Sequence, residues 1–312
     1  MIQYVTTKHN PMVYPHLAVW GWDIAFYLFL GGTAAGILLI SGIAIATRNE
    51  RFLPTSTGKV VLLAPILLGI GMLGLLHNVE NKLNLIAFYL FFNSVSPKSW
   101  GAWSLPAVLI VGGLFGLACL SESDRKWVGR WPILQRTLAS LADYRISMAK
   151  AIVPLALFLG SYTGVLLSTN VGRPLWNASI LGPLFMVSGT STGSALLALL
   201  ASSHREKVLL TRLDIPIIIT ELGWLMLLVI GDFFAAGPFR GAFHLLVGGP
   251  LSAPFWVLLV GIGLGIPLLI EITQSAGKLR ENAVPALMVL LGGFVFRAII
   301  VFGGQISSWT VH

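Results

Sequence analysis

Polar side chains interrupt a long apolar stretch at residues 160–168, which read GSYTGVLLS. Tyr162 offers a phenol that can both donate and accept a hydrogen bond. His77 closes another apolar stretch, and histidine exchanges protons near neutral pH because its ordinary pKa is about 6.5. Phenol and imidazole groups of this kind can bind the oxygens of a small ring and exchange protons with it.

The first apolar stretch begins with three further candidates for such a site. Trp22 offers an aromatic ring, and Asp23 and Tyr27 follow it. Because Asp23 and Tyr27 are four residues apart, they share one face of a helix. We therefore predict that Trp22, Asp23 and Tyr27 lie near Tyr162 and His77.

Two charged residues lie well inside apolar stretches, Glu221 and Arg297. A charge at such a depth is costly enough to indicate a function. Asp232 follows Glu221 on nearly the same helix face, about 16 Å further along the axis. This spacing is typical of a partial proton path, although two unrelated carboxylates could produce it as well.

Each of these residues also has an ordinary structural interpretation. Asp23, His77 and Asp232 lie near predicted membrane interfaces, where solvated polar side chains are common. Tyr162 also fits the aromatic belt at a membrane surface, and the two deep charges fit a structural ion pair. The small residues at 31–36 (GGTAAG) favour a close-packing surface over a ligand-binding loop.

Composition indicates a membrane protein. Of the 312 residues, 56% are apolar and only 10% are charged, and the mean hydropathy is +0.85. A soluble domain carries about 25% charged residues. The single cysteine, Cys119, excludes an intrachain disulfide and a cysteine-ligated iron–sulfur cluster within this chain. The N-terminus lacks the apolar region of a cleavable signal, and no feature indicates nucleic-acid binding or a metal site.

Eight apolar stretches are long enough to span a membrane, which needs about 20 residues each. We predict spans near 18–46, 60–79, 102–120, 149–168, 180–202, 213–234, 251–271 and 284–303. The run 83–92 is too short to span and is interpreted as interfacial or re-entrant. Residues 121–148 favour an amphipathic surface helix. The whole chain, 1–312, is predicted to form a single transmembrane domain.

The distribution of Lys and Arg orients these spans. Of the 20 such residues, 14 fall at the connections after the first, third, fifth and seventh spans, and 5 fall on the other side. The positive-inside rule therefore places both termini on the outer face. At about 1.5 Å of rise per residue, the polar candidates then share a level in the outer half, together with a Ser/Thr cluster at 188–194. This common level predicts one cavity that opens toward the outer face, whereas the inner half adds Glu271 and little else within the spans.

A cavity of this kind suits a quinone, a small amphipathic ring with a lipid tail. No histidine pair lies within the spans to ligate a haem, and the one cysteine cannot hold an iron–sulfur cluster. Electrons must therefore come from, or go to, a partner protein on the outer face.

Four motifs resemble those of the NrfD/PsrC family, the polysulfide-reductase-like, quinone-binding membrane subunits. They are WDIAFYLFLGGTAAG (22–36), SWGAW (99–103), SYTGVLLS (161–168) and PLFMVSGTSTG (183–193). The resemblance covers essentially the whole chain.

The resemblance implies an all-α membrane protein of eight helices in two four-helix bundles, with both termini on the outer (periplasmic) face. It also implies a menaquinone or ubiquinone site near that face, next to a ferredoxin-like iron–sulfur subunit that serves a catalytic subunit of the molybdopterin type. Tyr162 matches the quinone-proximal tyrosine of the family. Glu80 lies after the second span, where the family often has an acidic residue, whereas Asp23 and Tyr27 stand where it often has His or Asn.

These observations predict the quinone-linked membrane anchor of a multi-subunit respiratory oxidoreductase in a prokaryotic inner membrane. Tyr162, His77 and the residues of the first span would bind the quinone. Four charged residues would conduct protons or provide electrostatic support, namely Glu80, Glu221, Asp232 and Arg297. The alternative is a secondary transporter or channel with an outward-facing cavity, although the two halves of the chain show no sequence repeat.

Overall fold

The computed structural model describes residues 20–77, 92–128, 132–170, 172–234, 238–279 and 282–307. Every regular element within these ranges is a helix, and no strand occurs among them. Eight helices in the described part of the chain are long and apolar enough to cross a membrane. The predicted number of spans is therefore confirmed.

The helices follow one another in this order: α1 (Trp22–Ala46), the 3₁₀ turns Glu50–Phe52 and Lys59–Leu62, α2 (Leu63–His77), α3 (Pro97–Ala118), α4 (Glu122–Val128), α5 (Pro132–Asp143), α6 (Arg145–Ser168), α7 (Leu181–Leu200), α8 (His204–Phe234), α9 (Pro238–Val247), the π-helix Pro254–Gly265 that continues into α10 (Ile266–Ser275), and α11 (Val284–Ile306). The membrane-spanning helices are α1, α2 with its preceding 3₁₀ turn, α3, α6, α7, α8, the π-helix with α10, and α11.

The sixth span begins earlier than predicted, at His204 rather than at residue 213. The charged residues at the start of this segment lower its hydropathy, so the apolar run begins only at residue 213. The helix itself begins at His204, and one of these charged residues is buried in the fold. Glu206 is fully buried and accepts hydrogen bonds from the backbone N–H groups of Thr55 (3.1 Å) and Ser56 (2.7 Å). The carboxylate thus holds the connection between α1 and α2 against the start of α8.

The predicted amphipathic segment 121–148 forms two short helices, α4 and α5, before α6 begins at Arg145. In α5, Leu138 is buried while its neighbours from Gln135 to Ser140 are exposed. One buried leucine among exposed residues fits a helix that lies on the surface. The predicted interfacial run 83–92 lies outside the described residues except for Phe92.

Hydrogen bonds join the start of α1 to the end of α11 at one face of the helix assembly. The backbone N–H of Trp20 donates to Oε1 of Gln305 (2.8 Å), and Nε2 of Gln305 donates to the carbonyl of Trp20 (2.8 Å). The indole of Trp176, which precedes α7, donates to the carbonyl of Ile300 in α11 (2.7 Å). We call this side the Trp20 face, and it is the side that the charge distribution predicts to be outer.

The opposite side, the Glu206 face, contains the connections that are rich in Lys and Arg. Beside the Glu206 bonds, Nη2 of Arg145 donates to the carbonyl of Thr57 (2.9 Å). Ser41, near the end of α1, donates to the carbonyl of Ser56 (2.6 Å). These bonds fasten α1, α6 and α8 to the same connection, residues 47–62.

Helix α1 lies at the centre of the fold, where it packs against α2, α6, α7 and α11. Its contact with α7 is made through glycines. A Cβ atom at Gly36 would collide with the carbonyl of Gly189 and would lie 3.0 Å from Cα of Gly193. The prediction of a close-packing surface at residues 31–36 is therefore confirmed.

We expect Gly36→Ala to destabilise the protein because two backbones occupy the space that the new methyl group needs. Overpacking typically costs about 1–3 kcal/mol, which should lower the thermal unfolding midpoint in detergent. Gly223→Ala is the matched control, because nothing lies within 4 Å of its Cβ position. Equal midpoints for the two variants would contradict the assigned contact.

Candidate functional site

Tyr162 lies near the Trp20 face and is almost fully buried, with 4% of its surface exposed. Its hydroxyl donates a hydrogen bond to the carbonyl of Pro97 (3.0 Å), the first residue of α3. The ring packs closely against Gly101, where any side chain would collide with the phenol, and stacks on Phe158 with centroids 5.6 Å apart. Because its proton is donated to Pro97, the oxygen can only accept further hydrogen bonds. The backbone of Gly101 already interacts with this oxygen.

Asp23 and Tyr27 share a face of α1, as predicted, and this face is directed toward α2. A Cβ atom at Gly71 would lie 3.3 Å from the Tyr27 ring, and one at Gly74 would lie 3.8 Å from the Asp23 carbonyl. Tyr27 is buried, whereas Asp23 is partly exposed. Both residues therefore adjoin the last turns of α2, the helix that ends at His77.

Trp22 lies on another side of α1. Its ring contacts Phe302 (4.7 Å between centroids) and stacks on Phe294 (6.0 Å), both in α11, and 57% of its surface is exposed. The structure therefore does not bring Trp22 to the face of α1 that carries Asp23 and Tyr27.

The described residues locate three other candidates only in part. His77 is the last residue of α2, and Asp232 lies in the last turn of α8, both toward the Trp20 face as predicted. Their side chains lie outside the described part of the structure, and so does the whole of Glu80. The single outer cavity, which these side chains would border, stays a prediction.

Arg297 is fully buried in the middle of α11. Its Nη1 donates to the hydroxyl of Ser188 and to the carbonyl of Gly293 (3.0 Å), and Nη2 donates to the carbonyl of Phe185 (3.4 Å). The guanidinium carbon lies 5.2 Å from the centre of the Phe296 ring. Side chains and carbonyls therefore replace the water that a membrane cannot supply to this cation.

Glu221 provides the charge that opposes Arg297. It is 2% exposed, and its carboxyl group interacts with Ser188 and, through its charge, with Arg297. Because Ser188 lies between them, the pair is bridged, and no direct ion pair joins the two among the residues that the structure describes. Ser188, a member of the predicted Ser/Thr cluster on α7, thus lies between the two opposite charges and interacts with both.

The rest of that cluster has mixed roles. The hydroxyl of Thr33 in α1 donates to Thr192 (3.1 Å), which joins the two central helices, whereas Thr190 only bonds back to the carbonyl of Met186 (2.9 Å). Ser191 and Ser194 are fully buried.

Two buried carboxylates lie nearer to the Glu206 face, Asp214 (2% exposed) and Glu271 (4% exposed). The sequence interpretation noted Glu271 but missed Asp214. The missed signal was spacing, because Asp214 precedes Glu221 by seven residues and two helical turns place both on one face.

Cys119 follows the end of α3 and is buried. Burial raises the pKa of its thiol to about 11. The side chain is therefore a neutral thiol at physiological pH, which is the less nucleophilic and less metal-binding form.

A sequence profile described as polysulphide reductase, NrfD, matches residues 7–308. The chain belongs to the NrfD family. Its NrfD-type relatives align over almost their whole length with this protein. The C subunit of the polysulfide reductase of Wolinella succinogenes is 32% identical over 309 residues, which cover 92% of this protein and 94% of that one.

Two further relatives are similarly close. Protein NrfD of Escherichia coli is 28% identical over 315 residues (93% of this protein and 96% of that one). The Protein NrfD homolog of Haemophilus influenzae is 30% identical over 328 residues (98% and 99%). Membership of the NrfD family, together with the eight spans, confirms the resemblance and makes the protein a multi-pass membrane subunit of the respiratory oxidoreductase type.

We expect Arg297→Gln and Glu221→Gln to be strongly non-additive, because each single change leaves the other charge buried without its counterpart. The coupling between such groups amounts to about 0.5–3 kcal/mol, measurable as thermal midpoints of the two single variants and the double variant in detergent. Glu122→Gln serves as the control, because Glu122 is exposed in α4 and its effect should add to that of Arg297→Gln. An additive result for the Glu221 pair would contradict the bridged arrangement.

Proposed function

We propose that this protein is the quinone-linked membrane anchor of a multi-subunit respiratory oxidoreductase. The observation that carries the proposal is the match to the NrfD family over residues 7–308. One relative bears the name of the C subunit of a polysulfide reductase, which describes one part of a larger reductase. By analogy, this protein supplies the membrane part of a complex and not the terminal active site.

The proposed topology is a single domain of two four-helix bundles with both termini on the outer, periplasmic face of a prokaryotic inner membrane. The packing neighbours support it. Helices α1, α2, α3 and α6 form one set of neighbours, and α7, α8, α10 and α11 form a second set that meets the first along α1 and α6. The excess of Lys and Arg at the Glu206 face supports the assignment of that face to the cytoplasm.

The proposed quinone site lies near the Trp20 face, between α1, α2, α3 and α6. Tyr162 suits a quinol because its proton is donated to Pro97 and its oxygen can accept a hydrogen bond from a hydroquinone hydroxyl. Asp23, Tyr27 and His77 complete the site in this proposal. Trp22 faces α11 and is assigned the outer margin of the site, where its exposed ring can contact lipid or the quinone tail.

The proposed reaction balances without a redox group in this protein. Oxidation of one hydroquinone yields one quinone, two electrons and two protons, and reduction is the reverse. The electrons pass to or from an iron–sulfur subunit docked on the Trp20 face, which serves a catalytic subunit, proposed to be of the molybdopterin type. Carboxyl and imidazole groups near the ring carry the protons to the outer water.

The charged residues deeper in the fold form the proposed proton path or its electrostatic support. Glu80 and Asp232 would lie at the outer rim, and Glu221 with Arg297 lies beneath them. The bridge through Ser188 supports this role, because a hydroxyl between two charges can relay a proton as well as a hydrogen bond.

The decisive experiment isolates the protein gently from its native membrane and identifies what accompanies it. We expect an iron–sulfur subunit, a catalytic subunit and bound quinone, and quinol oxidation or quinone reduction by the purified complex. A lone protein that carries a solute across liposome membranes would refute the proposal in favour of the transporter alternative.

Tyr162→Phe tests the assigned residue. The variant keeps the ring packed on Gly101 but loses the acceptor for a quinol hydroxyl, and an unmade hydrogen bond costs roughly 1–2 kcal/mol. We therefore expect kcat/KM for quinol to fall about 5- to 30-fold in a complex that still assembles. Tyr144→Phe is the control, because Tyr144 is exposed at the Glu206 face. Unchanged kinetics in Tyr162→Phe would remove this hydroxyl from the site.

A further inference from the structure

A small cavity lies at the Glu206 face, far from the proposed quinone site. Its volume is about 100 Å³, well above the roughly 10–15 Å³ that one water needs. Lys207 lines it near the start of α8, Asn282 lines it just before α11, and Asp214 and Glu271 line it from α8 and α10. The cavity therefore leads from the surface to two carboxyl groups within the spans.

Both carboxylate oxygens of Asp214 are buried, and neither makes a hydrogen bond of good geometry. The hydroxyl of Ser191 is near enough to interact weakly with this carboxyl group. Glu271 likewise has one buried oxygen, Oε2, without a partner. The two carboxyl groups are close enough for their charges to interact. A buried carboxylate without a counter-charge costs free energy in a membrane, and the repulsion between two adjacent carboxylates raises this cost. A bound proton neutralises the charge and so removes the cost.

Among the residues that the structure describes, no cation is bonded to Asp214. From α7, the hydroxyls of Ser191 and Ser194 face this region, and from α10 so does Gln274. Lys207 lines the cavity seven residues earlier on the same helix, about 10 Å away along the axis. Arg297 lies on the other side, already bonded to Ser188.

A row of hydroxyl groups lies between Asp214 and the deeper charge pair. Ser194, Ser191 and Ser188 follow one another at intervals of three residues and so form one row along α7. Ser191 lies beside Asp214, and Ser188 lies beside Glu221 and Arg297. Ser191 Oγ is itself buried and makes no hydrogen bond of good geometry, so its weak interaction with Asp214 leaves the hydroxyl able to act as donor or acceptor.

We propose that Asp214 and Glu271 together form a proton-binding site that is filled from the Glu206 face through this cavity and passes its proton to Glu221. A hydronium ion from the Glu206 side gives a proton to the Asp214 carboxylate and leaves a water molecule in the cavity. Ser191 and Ser188 then each accept one proton and release one, so that Glu221 gains a proton and Asp214 loses it. Glu221 releases the proton in turn toward the outer rim of the proposed proton path, which leaves both carboxyl groups ready for the next proton. This path rests on the proposed quinone-linked function, because electron transfer supplies its driving force.

The ligand is a proton and not a metal ion. Among the described residues, no group of three His, Cys, Asp or Glu side chains comes together to hold a metal. The cavity nevertheless has oxygen donors that could suit sodium, so the experiment includes sodium as an alternative that would overturn the proposal.

The test uses the complete complex in proteoliposomes, driven by quinol and its electron acceptor. Protons taken up from the Glu206 side are counted per electron transferred, so the result does not depend on the turnover rate. We expect Asp214→Asn to lower this ratio at least twofold, and Asp214→Glu to restore part of it. Asp143→Asn is the control, because Asp143 is an exposed carboxylate before α6, and it should leave the ratio unchanged.

A second measurement covers the case in which Asp214→Asn stops turnover. The infrared spectrum of the resting wild-type complex should contain the carbonyl band of a protonated carboxyl group, which Asp214→Asn or Glu271→Gln removes and Asp143→Asn keeps. An unchanged ratio in Asp214→Asn, or a band that all variants keep, would overturn the proposal.

Two other results would also overturn it. Wild-type electron transfer without proton uptake from the Glu206 side would remove the path while leaving the proposed function intact. Charge uptake that requires sodium would assign the site to a metal ion. Failure of the wild-type complex to oxidise quinol would instead refute the proposed function itself.

Discussion

A membrane interior supplies no water, so a buried polar group in a span costs free energy unless it finds a partner within the protein. This requirement is greatest at Arg297, a full charge buried among several helices. Its charge lies in α11, its hydrogen bonds go to α7 and to its own helix, and its counter-charge lies in α8. Helix α1 adjoins it with Gly32, where a methyl group would meet Nη2 at 2.8 Å. The arrangement of four helices therefore depends on solvating one guanidinium.

Among the described residues, the buried polar groups form two sets. Tyr162, Asp23 and Tyr27 adjoin α2 and α3 near the Trp20 face, whereas the carboxylates and serines between α7, α8, α10 and α11 run from Arg297 toward the Glu206 face. The first set suits a ring with two oxygens, and the second suits a mobile proton. In the proposed function, quinone chemistry would take place in the first set and proton transfer in the second, and the separation would keep the two reactions apart.

Hydropathy was sufficient to predict the eight spans, because lipid contact dictates long apolar runs. Small residues at 31–36 likewise predicted a helix contact, since only glycine permits it. Asp214 could not be assigned in this way: at the charged end of a span it resembles a solvated residue, and its burial comes from α10 and the start of α11. The hydrogen-bond partner of Tyr162, the carbonyl of Pro97, could not be predicted either, because every residue has a backbone carbonyl and the sequence does not distinguish one from another.

The glycine contact between α1 and α7 has a mechanical consequence. Side chains at an ordinary helix interface can change rotamer and absorb a displacement, but Gly36, Gly189 and Gly193 have none to rotate. A sideways shift of one backbone must therefore push the other by the same amount. Helix α1 carries Tyr27 and α7 carries Ser188. The close backbone contact therefore couples the positions of the two polar sets, because one helix cannot be displaced toward the other without moving it.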